Sequence, residues 1–158
     1  MTVLRFSLIA FAVVAADQAS KGLALRLLPG AASIVLVPGL AQFTLTTNTG
    51  AAFGLLPGAT SYLAFVALAV AFATAVYVSR RRATIDPLST VALALALGGA
   101  LGNFLDRILR GRVVDFLDVF VGTHHWPVFN VADACICTGV GLLALGVLRG
   151  EHPASVPE

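Results

Sequence analysis

Four long apolar segments constrain this chain more than any other feature of its sequence. They cover residues 2–28, 61–79, 88–109 and 131–148, and the second of them contains no charged residue. A helix needs about 20 apolar residues to cross the hydrocarbon core of a bilayer. None of the segments has the strict alternation that is typical of a membrane β-strand. The sequence therefore predicts an all-α membrane protein with four transmembrane helices.

Composition excludes the other broad classes of protein. Charged residues make up 11% of the chain and hydrophobic residues 58%, whereas a soluble domain is about 25% charged and about 45–50% apolar. This leaves too little polar surface for a soluble globule, and it also excludes disorder. The formal net charge is only +2 and the basic residues are scattered, so we expect no nucleic-acid partner.

The connections between the segments predict the topology. Arg80, Arg81 and Arg82 fill the short connection after the second segment, and basic residues at short connections stay in the cytoplasm. Four spans then place both termini in the cytoplasm, with outer loops at about 29–60 and 110–130. We expect residues 1–149 to form a single membrane domain and residues 150–158 a disordered cytoplasmic tail.

Two local patterns refine this topology. Residues 33–45 are rich in β-branched and aromatic side chains, which favours short strands in the first outer loop. Val14, Ala15 and Ala16 resemble the cleavage site of a secretory signal peptide. We favour an uncleaved first helix, because the polar residues that follow directly are unusual enough in a membrane segment to be needed in place.

Ionisable residues in or beside the spans demand an explanation, because a charge within a bilayer costs several kcal/mol. Five of the eight acidic residues lie there on the predicted outer side: Asp17, Asp106, Asp115, Asp118 and Asp133. We expect Asp118, like Arg112, to reach water at the interface.

Pairs four residues apart on a helix lower the cost of burying charge. The sequence predicts three such pairs: Asp17 with Lys21, Asn103 with Arg107, and Asp106 with Arg110. From spacing alone, a structural role as polar contacts between helices is as consistent as a functional one. Gly98 and Gly102 are also four apart, which predicts close packing of a neighbouring helix.

Asp115 and Asp133 differ from the other acidic residues. Asp115 follows the third segment in an apolar context, and Asp133 lies in the first turn of the fourth. The loop between them can fold back so that both carboxyl groups meet at the outer membrane surface. Two carboxyl groups that share one site cannot both ionise easily, so one keeps a proton and the pair can activate water. Because the helix dipole favours charge on Asp133, we expect Asp115 to hold the proton more often.

Other candidate nucleophiles and ligands are weaker. Cys135 and Cys137 are about 200° apart around a helix, so they neither bridge nor chelate together. Ser20 and Lys21 diverge as helical neighbours and form no dyad by themselves. His124 and His125 have no third ligand at a suitable spacing; together with Trp126 they are more typical of an interfacial aromatic loop.

Five stretches together resemble lipoprotein signal peptidase (signal peptidase II), an aspartic peptidase family of the bacterial inner membrane. In chain order they are DQASK at 17–21, NTGAAFG at 48–54, GNFLDR at 102–107, VVDF at 113–116 and WPVFNVAD at 126–133. One departure is Ala134, where the family often has serine.

The resemblance implies both an activity and a site. The family removes signal peptides from diacylglyceryl-modified prolipoproteins and cuts on the N-terminal side of the lipidated cysteine. By position, Asp115 and Asp133 match the catalytic pair. The other matching positions, which would bind substrate or support the site, are Asp17, Lys21, Asn48, Gly50, Asn103, Asp106, Arg107, Asn130 and Ala132.

The resemblance also implies roles for some of these residues and for the first outer loop. The three asparagines would orient the substrate backbone and the aspartates, and Arg107 would meet a phospholipid or shape the pocket. The first outer loop would form a small β-rich extracytoplasmic subdomain with a short interfacial helix. The active site would face the periplasm, without a metal, a cofactor or an obligate protein partner.

Two other functions remain open at this level. A small proton-coupled transporter or channel subunit would use the aspartates as a relay, although they cluster on one side and the chain has no internal repeat. A structural membrane subunit would use the polar pairs only to hold helices together.

Overall fold

The computed structural model describes residues 2–28, 30, 33–50 and 60–149. Its elements are the helices α1 (Thr2–Leu27), α2 (Thr60–Arg80), α3 (Pro87–Arg110) and α4 (Val131–Leu148), and the strands β1 (Ser33–Val37), β2 (Ala41–Asn48), β3 (Val113–Val121) and β4 (His124–His125). All four helices are long and apolar enough to cross a membrane. The predicted disordered tail, 150–158, lies outside the described residues.

Helix α3 is the centre of the bundle and packs against each of the other three helices. Small residues allow the closest approaches. A Cβ atom on Gly98 would lie 2.6 Å from Cβ of Val13, and one on Gly102 would lie 2.5 Å from a carboxylate oxygen of Asp17. The predicted close packing at these two glycines is therefore confirmed, and the neighbour is α1.

Helix α2 has a different environment, because it packs mainly against α3. Phe65 and Phe72 on this helix are 73% and 72% exposed. Large apolar side chains with this exposure are typical of a surface that faces lipid. The four apolar helices, together with the exposed aromatic residues, make this a multi-pass membrane protein.

The strands form one antiparallel sheet in the order β1-β2-β3-β4. The first outer loop supplies β1 and β2, as the sequence predicts. Strands β3 and β4 come from the second outer loop, for which no strand was predicted, although residues 113–121 are rich in valine and phenylalanine. The short helix that the resemblance implies is not among the described residues of the first loop, 30 and 33–50.

Candidate active site

The end of α3 and the start of β3 position Asp115. Gly111 ends α3 in the left-handed region, with φ of 69°, and its N–H donates to the carbonyl oxygen of Arg107. Glycine adopts this conformation without steric cost. The chain therefore reverses sharply and enters β3 at Val113, so that Asp115 lies beside the end of the helix that the strand has just left.

Backbone pairing brings the start of α4 to the same place. Phe129 exchanges hydrogen bonds with Leu117 on β3, with N···O distances of 3.0 and 2.8 Å. The next residue, Asn130, is the N-cap of α4, and it forms a capping box with Asp133. In this motif each side chain accepts from the backbone N–H of the other residue, which satisfies donors at the helix start.

Two asparagines connect the two aspartates. Nδ2 of Asn130 donates to Oδ1 of Asp115 at 2.7 Å, and Nδ2 of Asn103 donates to Oδ1 of Asp133 at 2.8 Å. Nδ2 of Asn130 also lies 3.2 Å from Oδ1 of Asn103. Asp115, Asp133, Asn103 and Asn130 therefore form one continuous hydrogen-bond network.

Asp115 and Asp133 line the same cavity, which has a volume of about 640 Å³. Asn48, Asn103 and Arg107 complete its polar surface. Helix α2 contributes an apolar part of the lining, formed by Leu63, Val66, Ala67 and Val70. The cavity thus places two carboxyl groups against a surface that suits hydrocarbon.

Burial and the neighbouring charge of Asp133 raise the pKa of Asp115 to about 6. The hydrogen bond from Asn130 and the positive charge of Lys21 act in the opposite direction but are weaker. Desolvation and a like charge both disfavour the ionised form of a carboxyl group. Asp115 therefore holds its proton to a higher pH than an ordinary aspartate does; that it holds the proton more often than Asp133 stays a prediction.

Behind the cavity lies a buried ionic network. Nζ of Lys21 is 2.9 Å from Oδ2 of Asp17 and 3.0 Å from Oδ2 of Asp106, and none of these three side chains is exposed. Asp106 also pairs with Arg110. The two predicted ion pairs are therefore confirmed. In the third predicted pair, Arg107 contacts the backbone oxygen of Asn103 at 3.3 Å rather than its side chain.

The remaining predicted site residues divide between the cavity and its support. Oδ1 of Asn48 accepts from the backbone N–H of Gly50, and the carbonyl oxygen of Gly50 accepts from Nη2 of Arg107 at 3.0 Å. Ala132 and Asn130 are fully buried. Of the eleven predicted residues, five line the cavity, and the other six are Asp17, Lys21, Gly50, Asp106, Asn130 and Ala132.

Gln18 belongs to this network, although it was not among the predicted site residues. Its Nε2 donates to Oδ2 of Asp17 and to Oδ1 of Asp106, and its Oε1 accepts from Arg110 at 3.0 Å. The signal in the sequence was an amide next to an aspartate inside a membrane segment. A group that both donates and accepts is needed where carboxylates and a guanidinium meet.

The expectation for Asp118 was wrong. Instead of reaching water, Asp118 is 3% exposed and accepts from Nε2 of Gln42 at 2.8 Å. Nδ1 of His125 lies 2.8 Å from its other oxygen, and the His125 ring stacks on Phe120. The sequence does not show these partners because they come from β2 and β4, and neither pairing was predicted.

Neither cysteine nor histidine adds a further centre in the part of the chain that the structure describes. Cys135 and Cys137 are both free thiols. No group of three or more His, Cys, Asp or Glu residues is arranged there to hold a metal ion.

Comparison with known proteins links this chain to one family. The sequence model of the family described as signal peptidase (SPase) II matches residues 9–149. The lipoprotein signal peptidase of Halalkalibacterium halodurans is 40% identical over 149 residues, which cover 94% of this chain and 95% of that protein. The lipoprotein signal peptidase of Geobacter metallireducens is 43% identical over 159 residues, covering 95% and 94%.

Solved structures give the same result for the fold. A bacterial membrane enzyme determined by the in meso method at 2.3 Å resolution superposes with a TM-score of 0.85 at 33% identity, over 98% of this chain and 93% of that one. A second, at 1.9 Å resolution, has a TM-score of 0.81 at 34% identity and covers 92% and 93%. These comparisons do not support the alternative of a transporter or channel subunit.

Proposed function

This chain belongs to the signal peptidase II family and removes signal peptides from prolipoproteins, and we propose that it does so as an aspartic endopeptidase with Asp115 and Asp133 as its catalytic pair. The observation that carries this proposal is that both carboxyl groups line one cavity and are joined through Asn103 and Asn130. A pair of carboxyl groups in one low-dielectric site shares a proton readily, which provides an acid and a base together.

The two aspartates take different roles. Asp133 accepts hydrogen bonds from Nδ2 of Asn103 and from the backbone N–H of Asn130, and a charged carboxylate uses both as an acceptor. Asp133 also lies in the first turn of α4, where the helix dipole favours a charged carboxylate, so we assign it as the base. The raised pKa of Asp115 suits that residue to be the acid. Strictly, the pair titrates as a unit.

The reaction is a hydrolysis in which the two aspartates exchange protons with water and with the substrate. Asp133 removes a proton from water, and the oxygen of that water attacks the carbonyl carbon of the scissile peptide bond. Asp115 donates its proton to the developing oxyanion. Asp133 then gives the proton it took from water to the leaving nitrogen, and the carbon–nitrogen bond breaks. As the carbonyl group forms again, a hydroxyl of the intermediate returns a proton to Asp115, which restores the pair. Since carboxyl groups make every proton transfer, the mechanism needs no metal and no organic cofactor.

The substrate is a prolipoprotein whose cysteine carries a diacylglyceryl group, and the cut is made on the N-terminal side of that cysteine. The cavity supports this assignment, because the α2 wall of Leu63, Val66, Ala67 and Val70 suits acyl chains or an apolar signal segment. We propose that Arg107, which lines the cavity, contacts a phospholipid headgroup. We propose that the enzyme acts without an obligate protein partner.

The proposed location is the bacterial inner membrane, with both termini in the cytoplasm and the cavity at the periplasmic face. The end of α3, the start of α4 and the sheet lie at one end of the bundle, whereas Arg80, Arg81 and Arg82 follow α2 at the other end. The positive-inside rule places the arginine end in the cytoplasm.

Cleavage of a defined substrate tests the proposal. The purified protein should cut a diacylated peptide that contains the cysteine site, and should leave the matched peptide without acyl chains largely uncut. Asp115→Asn and Asp133→Asn should each abolish cleavage while the protein stays folded and inserted. If both variants still cut the peptide, the aspartic mechanism is wrong; proton flux into vesicles without cleavage would favour a transporter.

A further inference from the structure

Three charged side chains lie behind the cavity and do not line it: Asp17, Lys21 and Asp106. Each is completely buried. Buried ion pairs are weak sources of stability, because apolar side chains of similar volume often stabilise a protein as well or better. Their contacts therefore call for an explanation other than helix packing.

Each of the two carboxylates holds a backbone N–H next to one of the proposed catalytic residues. Oδ1 of Asp17 accepts from the N–H of Ala132 at 2.9 Å, and Ala132 directly precedes Asp133. Oδ2 of Asp106 accepts from the N–H of Val114 at 3.0 Å, and Val114 directly precedes Asp115. Because peptide units are planar and rigid, a fixed N–H orients the chain that carries the next side chain.

Lys21 joins the two carboxylates and also orients an asparagine. Besides its two ion pairs, Nζ donates to Oδ1 of Asn103 at 2.9 Å. A lysine ammonium group only donates, so the oxygen of the Asn103 amide must face it. The Asn103 NH₂ group is thereby turned toward Oδ1 of Asp133, to which it donates at 2.8 Å.

We propose that Asp17, Lys21 and Asp106 form a clamp that fixes the separation and orientation of Asp115 and Asp133. The three are positioning residues, which act through the backbone at Ala132 and Val114 and through Asn103, and they make no contact with substrate. The inference rests on the proposed function of the two aspartates.

Amide exchange tests the clamp without any assay of cleavage. In Asp17→Asn, Lys21 and Gln18 both donate to the Oδ2 position, so the new amide oxygen must lie there and the new NH₂ group must face the Ala132 N–H. We expect hydrogen exchange to accelerate by about tenfold or more at Ala132 and to stay unchanged at Val114. Asp106→Ala should give the reverse pattern.

Kinetics provide the second readout, with Asp118→Asn as the matched control, since Asp118 is also a buried aspartate but lies outside the clamp. For Asp17→Asn we expect kcat per folded molecule to fall about 100-fold, with KM changed by less than about threefold. The control should keep the kcat of the unmodified protein. A purely structural role would lower the amount of folded protein and leave kcat per folded molecule unchanged.

Gly102→Ala gives a variant that keeps every charge. Its new Cβ would lie 2.5 Å from Oδ2 of Asp17, so it displaces that carboxylate and should release the Ala132 N–H alone. This variant decides the question if Asp17→Asn does not fold. The clamp is wrong if both amides respond equally in each variant, if neither responds, or if KM rises while kcat is unchanged. A fully active Asp115→Asn would instead defeat the proposed catalytic pair, whatever the exchange pattern.

Discussion

Asp115 and Asp118 lie three residues apart on the same strand, and each is only 3% exposed. Their carboxyl groups nevertheless respond to burial in opposite ways. The pKa of Asp115 is raised to about 6 by burial and by the charge of Asp133. Burial also raises the pKa of Asp118, but its hydrogen bonds with His125, Gln42 and Thr44 outweigh that effect, so its pKa is lowered.

The difference teaches that partners, rather than exposure, decide what a buried carboxyl group can do. Asp118 is surrounded by groups that donate hydrogen bonds, and so it remains an acceptor that ties β2, β3 and β4 together. Asp115 has Asn130 as a donor and a second carboxyl group nearby. A carboxyl group with partners like those of Asp115 holds its proton to a higher pH than an ordinary aspartate does.

The sharpest test of this comparison is to neutralise each aspartate in turn. Asp115→Asn should lower the rate of peptide cleavage by about 1,000-fold or more, since it removes a proton donor from the reaction. Asp118→Asn should change the rate by less than about threefold, because Asp118 lies in the sheet and does not line the cavity. Initial rates on the diacylated peptide measure both, and equal losses would contradict the comparison.

Removing a hydrogen-bond donor to Asp115 or to Asp118 should change kcat less than neutralising the catalytic aspartate does. Asn130→Ala removes the hydrogen bond to Asp115 and the N-cap of α4, so kcat should fall about 100-fold. The lost cap should also lower the free energy of unfolding by about 1–2 kcal/mol. The matched variant Gln42→Ala removes a donor to Asp118 and should keep kcat nearly unchanged.

Neutralising Asp115 and neutralising Asp118 should also have opposite effects on stability at pH 7.5. The ionised form of Asp115 is disfavoured in the folded state, so folding loses stability as pH rises from the ordinary pKa of 3.8 to about 6. Asp115→Asn should therefore raise the free energy of unfolding by about 1–3 kcal/mol at pH 7.5 and have no such effect below about pH 4.

For Asp118 the sign is reversed. Because its pKa is lowered in the folded state, its charge stabilises the protein above the ordinary value of 3.8, and this contribution is lost as pH falls through the folded pKa. Asp118→Asn should cost less than about 1 kcal/mol at pH 7.5, since its partner His125 is 48% exposed and solvent screens the pair. Thermal unfolding in detergent at several pH values measures both variants, and changes of the same sign would contradict this account.

The smallest expected change is a shift in the pKa of Asp115. Asp133→Asn removes the negative charge that helps to raise the pKa of Asp115, so this pKa should fall from about 6 toward its ordinary value. The pKa of Asp118 should not move. NMR titration of ¹³C-labelled aspartate carboxyl groups follows both residues in one sample; an unchanged Asp115 would mean that the two carboxyl groups are not coupled.

Much of the fold followed from the sequence because the membrane imposes a simple rule. Every backbone polar group must be satisfied inside the bilayer, so apolar segments of about 20 residues become helices. The predicted segments 61–79 and 88–109 each lie within one residue of the ends of α2 and α3. The second outer loop was harder, because a strand forms only where a partner strand is available, and the sequence does not show that β2 lies beside residues 113–121.

In the candidate site, too, contacts within one helix were predictable and contacts between different helices were not. The ion pairs Asp17 with Lys21 and Asp106 with Arg110 were predictable, because one turn of helix sets their spacing. The connection from Lys21 to Asp106 was not, because it joins α1 to α3. Gln18 was missed for the same reason, since its partners on α3, Asp106 and Arg110, lie more than 80 residues away.

The sequence by itself determined the membrane class, the four helices, the family and the candidate residues of the proposed site, because these depend on composition and on local spacing. Only the tertiary structure decided how those residues are arranged. It placed Asp115 and Asp133 on one cavity, set Asp17, Lys21 and Asp106 behind it, and turned Asp118 into the sheet. The physical reason is that the charge and orientation of a buried polar group depend on its partners, and here those partners come from distant parts of the chain.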